Sequence, residues 1–511
     1  MNSRERGESR VMQELEKAPE KAPEIERWGR FELSLNGPQD GNPFTDVSFA
    51  AYFRQGHRIV EADGFYDGQG CHRVRFMPDT LGKWSYETVS NVPELNRVQG
   101  TFICVEPSAE NHGPVGVDRE VHFTYADGKA FFPFGTTSYV WNHQDEELQE
   151  LTLRSLAEAG AFNKIRMCVF PKHYDYNLNE PALYPFVGSL EEGWDFTAFD
   201  PAYWQHLERR IEDLQQLGIE ADLILFHPYD RWGFAEMSPD TDDFYLRYAI
   251  ARLSAYRNIW WSLANEFDLM KAKTMRDWDR FFKIIQERDP YGHLRSIHNW
   301  HHPGIHYRSN LHWYDHGKPW VTHASIQHHD LYFVEEWQET FRKPIVVDEC
   351  RYEGNLNHGW GNITAERMVE CFWQGMLNGG YVTHGETFLH EDNIIWWSHG
   401  GTLHGESPSR IQFLRQIIEA GPQLDRLKTD FHWDIAAGGV DGEYYLAYFG
   451  SSRPGFRMLP LPEGITFTIE LIDTWNMTMT PLPGTYEGNC RVDLPGKPYQ
   501  ALRIQAINQQ T

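Results

Sequence analysis

The sequence predicts an α/β protein: a (β/α)8 TIM barrel flanked by N-terminal and C-terminal β-sandwich domains. Three observations predict it. Strand-like apolar runs alternate with helical patterns across about 300 central residues. Short alternating strands separated by turn residues precede that region, and the same all-β texture returns after Pro422. A chain of 511 residues is a natural length for a barrel with accessory domains.

Residues 1–25 are charged throughout and read as a disordered or loosely ordered tail, without the apolar stretch of a secretion signal. From Trp28 onward come RFELSLNG, DVSFAAYFRQG, HRVRFMPD, GKWSYETVS and GTFICVEPS, separated by turn-forming stretches such as YDGQG. Strands of this length and spacing indicate a small β-sandwich, assigned to residues 26–110.

The barrel is assigned to residues 111–422. Its best helix is PAYWQHLERRIEDLQQLG, where Trp204, Leu207, Ile211 and Leu214 recur on one helical face and Gly218 follows the last turn. Eight runs are its candidate strands: AFFPFGT, NKIRMCVF, ADLILFHP, NIWWSLANE, LRSIHNW, WVTHASIQ, PIVVDEC and GYVTHGET. No glycine-rich phosphate fingerprint follows any of them, which argues against a dinucleotide-binding sheet. Residues 423–511 read as a second β-sandwich, from FHWDIAAG, EYYLAYFGSS, ITFTIELIDTW, TYEGNCRVDLP and YQALRIQAI.

Composition narrows the function. A formal net charge of −26 repels phosphate backbones and anionic membranes, so neither nucleic acid nor membrane is an expected partner. The 19 Trp, 24 Tyr and 31 Phe suit a carbohydrate protein, because sugars stack their C–H faces on rings, although most rings of a large barrel pack its core. Six cysteines are scattered without CxxC or metal spacing, which with the missing signal leads to an expected cytoplasmic location.

Barrel enzymes place reacting groups at the C-terminal strand ends. Here those ends are polar: Asn142 and His143; His173 and Tyr174; His227 and Asp230; Asn265 and Glu266; His298, Asn299 and Trp300; Gln327, His328 and His329; Asp348 and Glu349; His384 and Glu386. Cleavage of a glycosidic bond with retention needs two carboxyl groups about 5–5.5 Å apart. Glu266 and Glu349, ending the fourth and seventh strands, can meet across a barrel mouth. An Asn-Glu dipeptide by itself is a common structural pair; the combination is the signal.

NIWWSLANEFD resembles the fourth-strand Asn-Glu motif of clan A retaining glycoside hydrolases, and KPIVVDEC resembles their seventh-strand motif. The chain from Trp28 on is similar to a group of apiosidase-like and endoglucanase-like members with an N-terminal immunoglobulin-like domain and a C-terminal β-sandwich. The segment IIWWSHGGTLHGESPSRIQFLRQIIEAGP carries that likeness. The resemblance implies that Glu266 is the acid/base, Glu349 the nucleophile, Arg166 the second-strand arginine beside it, and Asn265 a partner of the sugar 2-hydroxyl. Asp348 stands where Thr, Ser or Gly is usual, and is a rival nucleophile.

The remaining expected substrate contacts are His227, His143, His298 and Gln327, with Trp141, Trp300, Trp396 and Trp397 as sugar platforms. Glu386 and Asp230 are expected to position the acid/base or bind hydroxyls. The pairs His301-His302 and His328-His329 lack metal-ligand spacing, and neighbours on one strand face opposite ways, so no metal or other cofactor is expected. No GxSxG elbow occurs, and GESPS reads as the Ser/Pro cap of a helix. The expected activity is retaining, exo-acting hydrolysis of β-linked oligosaccharides. A catalytically silent carbohydrate-binding barrel and a transglycosidase are the alternatives, and homo-oligomerisation is left open.

Overall fold

The computed structural model describes residues 22–300, 313–391, 393–427, 431 and 433–507. Eight parallel strands form the central sheet: Phe134–Thr137, Lys164–Cys168, Glu220–Phe226, Ile259–Ala264, Arg295–Ser296, Ala324–Gln327, Ile345–Glu349 and Tyr381–His384. Each falls on one of the eight runs named above, with Phe134–Thr137 and Glu220–Phe226 running one residue beyond theirs. The first strand pairs with both the second and the eighth, and the series continues around to the fifth and sixth. A lone parallel bridge between His298 and Ser325 joins those two and completes the cylinder.

The first strand starts later than its apolar run. Pro133, lacking an N–H, interrupts the ladder. Ala130–Phe131 pairs antiparallel with His122–Tyr125, which pairs with Val115–Asp118. This small sheet lies at the N-terminal end of the barrel, with the Phe123 ring 5.2 Å from those of Trp260 and Tyr381.

Helices follow every strand except the fifth among the described residues. Pro201–Gln216 shows why they form. Asp200 caps it by accepting from Ala202 N at 2.9 Å, Pro201 opens it, and Gly218 ends it at φ +70°. Trp204, Leu207, Ile211 and Leu214 are wholly buried against the barrel. Leu207→Ala would cost about 2–5 kcal/mol through lost burial and the cavity left behind. The helix after GESPS, Ser407–Glu419, is capped differently from expectation. Glu353 accepts from Glu406 N at 2.9 Å and from Ser407 N at 3.2 Å, so a glutamate from another loop replaces the serine.

Before the barrel, seven strands (Glu24–Glu26, Phe31–Asn36, Phe49–Gln55, Arg58–Tyr66, Cys71–Phe76, Gly82–Ser90 and Gln99–Val105) form one hydrogen-bonded set. Ordered structure begins inside the expected tail: Glu24–Glu26 pairs in parallel with Ile103–Val105, while residues 1–21 lie outside the described residues. Arg58–Tyr66 carries Arg58, Glu61 and Asp63, which hide its alternation. Arg75 docks this unit on the barrel helices, 2.7 Å from both Glu208 and the Arg252 carbonyl. Arg252 in turn reaches Asp67 at 2.7 Å, so each buried charge has partners.

After the barrel, a six-stranded sheet and a separate strand pair (Phe456–Pro460 with Asn489–Asp493) follow. Tyr448 stacks on Trp373 of the barrel helix Ala365–Leu377 at 5.3 Å and joins the two cores. No described helix is long and apolar enough to cross a membrane.

Candidate active site

Ile259–Ala264 and Ile345–Glu349 deliver Glu266 and Glu349 to the C-terminal mouth of the barrel. Glu266 adopts φ 48°, ψ 53°, a left-handed conformation uncommon for a residue with a side chain, and one that aims it off the strand axis. Gln327, from the sixth strand, donates Nε2 to Glu266 Oε1 at 3.2 Å and to Glu349 Oε2 at 2.8 Å. Laid end to end these distances cap the separation of the two oxygens at 6.0 Å.

Each carboxylate also takes a tyrosine hydroxyl. Tyr139 donates to Glu349 and Tyr229 donates to Glu266. Arg166 lies beneath, its guanidinium 3.7 Å from Glu349 and donating to Asn265 Oδ1 at 3.1 Å. His298 is equally buried. Its Nδ1 accepts from Glu266 N at 3.4 Å, so its Nε2 carries the proton, 3.9 Å from Glu349.

Burial and the neighbouring Glu349 charge push Glu266 up to about 8, against the opposing pull of Tyr229, Lys172 and Gln327. Asp348 is held far below the usual range: burial acts against its charge, but Lys164 and Arg166 outweigh it. It is tied to Lys164 Nζ at 2.9 Å, Ser325 Oγ at 2.5 Å and Thr383 Oγ1 at 2.7 Å. With no exposed surface it lies below the mouth, so the rival nucleophile is removed from the site.

A cavity of about 370 Å³ opens over the two glutamates, lined by Tyr139, Lys172, Tyr174, Tyr229, Asn265, Trp300, Gln327, His328, His329, Arg351, Tyr352, Gly359, Trp360 and Trp397. Of the expected contacts, Asn265, Gln327, Trp300 and Trp397 face it; Arg166 and His298 support it from below.

Five expected contacts are turned elsewhere. Trp141 is fully buried in the barrel core. Trp396 gives its indole N–H to Thr136 at 2.9 Å, because the π-helical turn Ile395–His399 sends Trp396 inward and its neighbour Trp397 to the cavity. His143 bonds the Cys168 carbonyl at 3.2 Å and His227 that of Phe170 at 3.2 Å; burial lowers them to about 4 and about 3. Glu386 accepts from His404 N at 2.5 Å and Gly405 N at 2.8 Å, fastening a loop outside the cavity. Asp230, also expected at the site, caps the turn at Trp232 and Ala235 instead.

His328 and His329 both line the cavity, with their rings stacked at 5.1 Å. They follow the end of the sixth strand, where the alternation of faces no longer applies. His301 and His302 lie outside the described residues. Tyr139, Tyr229, Lys172, Tyr352 and Trp360 were not foreseen. Each sits two to eleven residues beyond a strand end, and only the position of Tyr229, between His227 and Asp230, offered a signal.

Among the described residues, Glu353, His384 and Glu386 have ligand-type atoms within 4.8 Å of one another. Both carboxylates already accept backbone N–H groups at the start of helix Ser407–Glu419, the positive end of its dipole. Burial raises Glu353 and pushes Glu386 up to about 8. The two carboxylates therefore cap this helix, while His384 Nδ1 pairs with Thr136 Oγ1 at 3.0 Å, and a cation would have to displace these bonds.

No curated protein matches the sequence. The model of the "Apiosidase-like, catalytic domain" family matches residues 118–426, and two domains of unknown function match residues 24–91 and 433–505. A crystal structure of a "putative glycoside hydrolase" from Bacteroides vulgatus ATCC 8482 is 42% identical, covers 95% of this chain and 100% of its own, and superposes with a TM-score of 0.89. A glycoside hydrolase family 5 protein from the same organism shares the fold: TM-score 0.62, 15% identity, 78% of this chain and 94% of the other. With the matching barrel model covering more than half its length, this chain belongs to the apiosidase-like catalytic-domain family and is a glycoside hydrolase.

Proposed function

We propose that the enzyme cleaves a β-linked glycoside by double displacement, with retention at the anomeric carbon. A Glu349 oxygen forms a bond to that carbon as the bond to the leaving oxygen breaks, and Glu266 gives its proton to the leaving oxygen. Water then attacks the glycosyl-enzyme while Glu266 takes its proton, and Glu349 is released. Asn265, held by Arg166, is the hydrogen-bonding partner for the hydroxyl beside the reacting carbon.

The observation that carries this reading is Gln327 donating to both carboxylates, which keeps their oxygens within 6.0 Å. That bound lies below the roughly 6.5–9.5 Å that inverting enzymes need to admit a water. A Glu266 pushed up to about 8 holds its proton at neutral pH, as a general acid must. Forming the glycosyl-enzyme cancels the Glu349 charge, which lowers Glu266 just when it must act as base.

The cavity of about 370 Å³ supports exo-action on a short oligosaccharide, since it falls at the small end for ligand sites. We read residues 24–110 as an immunoglobulin-like sandwich and 423–511 as a second sandwich, both bracing the barrel of residues 111–422. Six free thiols support a reducing compartment, the cytoplasm. Proton NMR of the first-formed product on an aryl β-glycoside panel tests the mechanism. The β-anomer is expected, and initial release of the α-anomer would overturn it. Rapid cleavage inside intact polymers would overturn exo-action.

A further inference from the structure

Lys172 follows the second strand by four residues and lines the cavity, yet its ammonium has no carboxylate in ion-pair contact among the described residues. Three aromatic faces surround it instead. Nζ lies 3.5 Å from the ring centroid of Tyr139, 4.3 Å from that of Tyr229 and 4.7 Å from that of Trp397. Two of these rings belong to the tyrosines whose hydroxyls grip the reacting carboxylates, Tyr139 on Glu349 and Tyr229 on Glu266. One cation thus sits behind both halves of the machinery.

A ring face attracts an ammonium through its quadrupole without neutralising it. A carboxylate partner would cancel the charge, and a direct bond to Glu349 would have to break at every turnover. The cage avoids both. We propose that Lys172 is a positioning residue: a caged positive charge that holds Tyr139 and Tyr229 against the two carboxylates and favours their ionised forms. This rests on Glu349 and Glu266 being nucleophile and acid/base.

Other charges face the pair from every side. Arg166 approaches Glu349 at 3.7 Å and His298 at 3.9 Å, while Tyr352 and Tyr174 flank the cavity and Arg351 lines its wall. Lys164 is held between Asp222 at 2.7 Å and Asp348 at 2.9 Å, so its charge is locally balanced. Lys172 lacks such a balance: burial lowers it, against the opposing pull of Cys168, Glu266 and Glu349.

The test compares wild type, Lys172→Met and Lys172→Arg in the pH dependence of kcat/KM on an activated aryl glycoside. In Lys172→Met both limbs should move to higher pH by about one unit, with kcat falling more than KM changes, and Lys172→Arg should restore them. Unmoved limbs in a folded Lys172→Met overturn the proposal; if that variant does not fold, Lys172→Gln carries the same criterion. A second readout needs no turnover. Infrared titration of the Glu266 carboxyl, its band identified by loss in Glu266→Gln, should shift up by about one unit in Lys172→Met. An unchanged midpoint overturns the role of Lys172. Failure of the wild type to cleave any glycoside tells against the proposed function instead.

Discussion

The ammonium of Lys164 lies 2.9 Å from Asp348 Oδ1, one residue before Glu349 and wholly enclosed by the barrel. Asp222 completes the triad at 2.7 Å from the same nitrogen. Lys164 and Arg166, the latter 3.8 Å from each aspartate, share these two buried carboxylates, so this layer sets the footing of the strands that carry Arg166 and Glu349.

Lys164→Met should therefore cost about 3–5 kcal/mol, because it strands two buried carboxylates without their cation. Chemical denaturation at neutral pH measures it. A loss below ~1 kcal/mol would mean that Arg166 alone balances both aspartates.

Glu349→Ala should fold normally and lose activity by ~10⁴-fold or more, as expected when a covalent nucleophile is deleted. Sodium azide should restore turnover and yield the inverted glycosyl azide. Asp348→Asn should instead lower stability and gain nothing from azide. Rescue of Asp348→Asn but not of Glu349→Ala would reverse the two roles.

The alkaline limb of kcat/KM should fall near pH 8, since the acid form of Glu266 is the active one and its group sits at about 8. Above that point the rate should drop tenfold per pH unit. Glu266→Gln should abolish the limb and reduce the rate by ~10²–10⁴-fold, least with a dinitrophenyl leaving group. A wild-type profile flat to pH 10 would refute this assignment.

Glu220, at the start of the third strand, is also pushed up to about 8 by burial, although Trp260 donates to it at 3.0 Å. A carboxyl raised in the folded state keeps its proton there and loses it on unfolding. Its contribution is neutral below the ordinary glutamate value of 4.5 and falls as pH climbs from 4.5 towards 8. Glu220→Gln, which keeps the Trp260 acceptor, should leave stability unchanged at pH 4 and raise it by about 1–3 kcal/mol at pH 9. Melts showing the same increment at both pH values would contradict this.

The barrel strands were readable because each couples an apolar run to a polar end, and Glu266 and Glu349 stand where those ends converge. The tryptophans were not. Trp396 and Trp397 are adjacent, and only the π-helical turn at Ile395–His399 decides which one faces the cavity. Tyr139 and Tyr229 escaped for another reason. Their hydroxyls bond residues 210 and 37 positions away, so their roles come from assembly and not from local pattern. His143 and His227 look like ligands in a string of letters, but carbonyl oxygens within the barrel wall already claim them.

Among the described residues the cylinder is fastened by ladders along seven seams, and along the eighth by the His298–Ser325 bridge and the hydrogen bonds between Arg295 and Thr322. A seam with fewer ladder bonds than its neighbours opens at a lower free energy than they do. His298 also receives the backbone N–H of Glu266 at 3.4 Å, and Gln327 ends the strand on the far side. Parting the seam would separate the acid from its supports while the helices remain intact. Opening of this seam is therefore expected to disturb the surroundings of Glu266 before the fold as a whole melts.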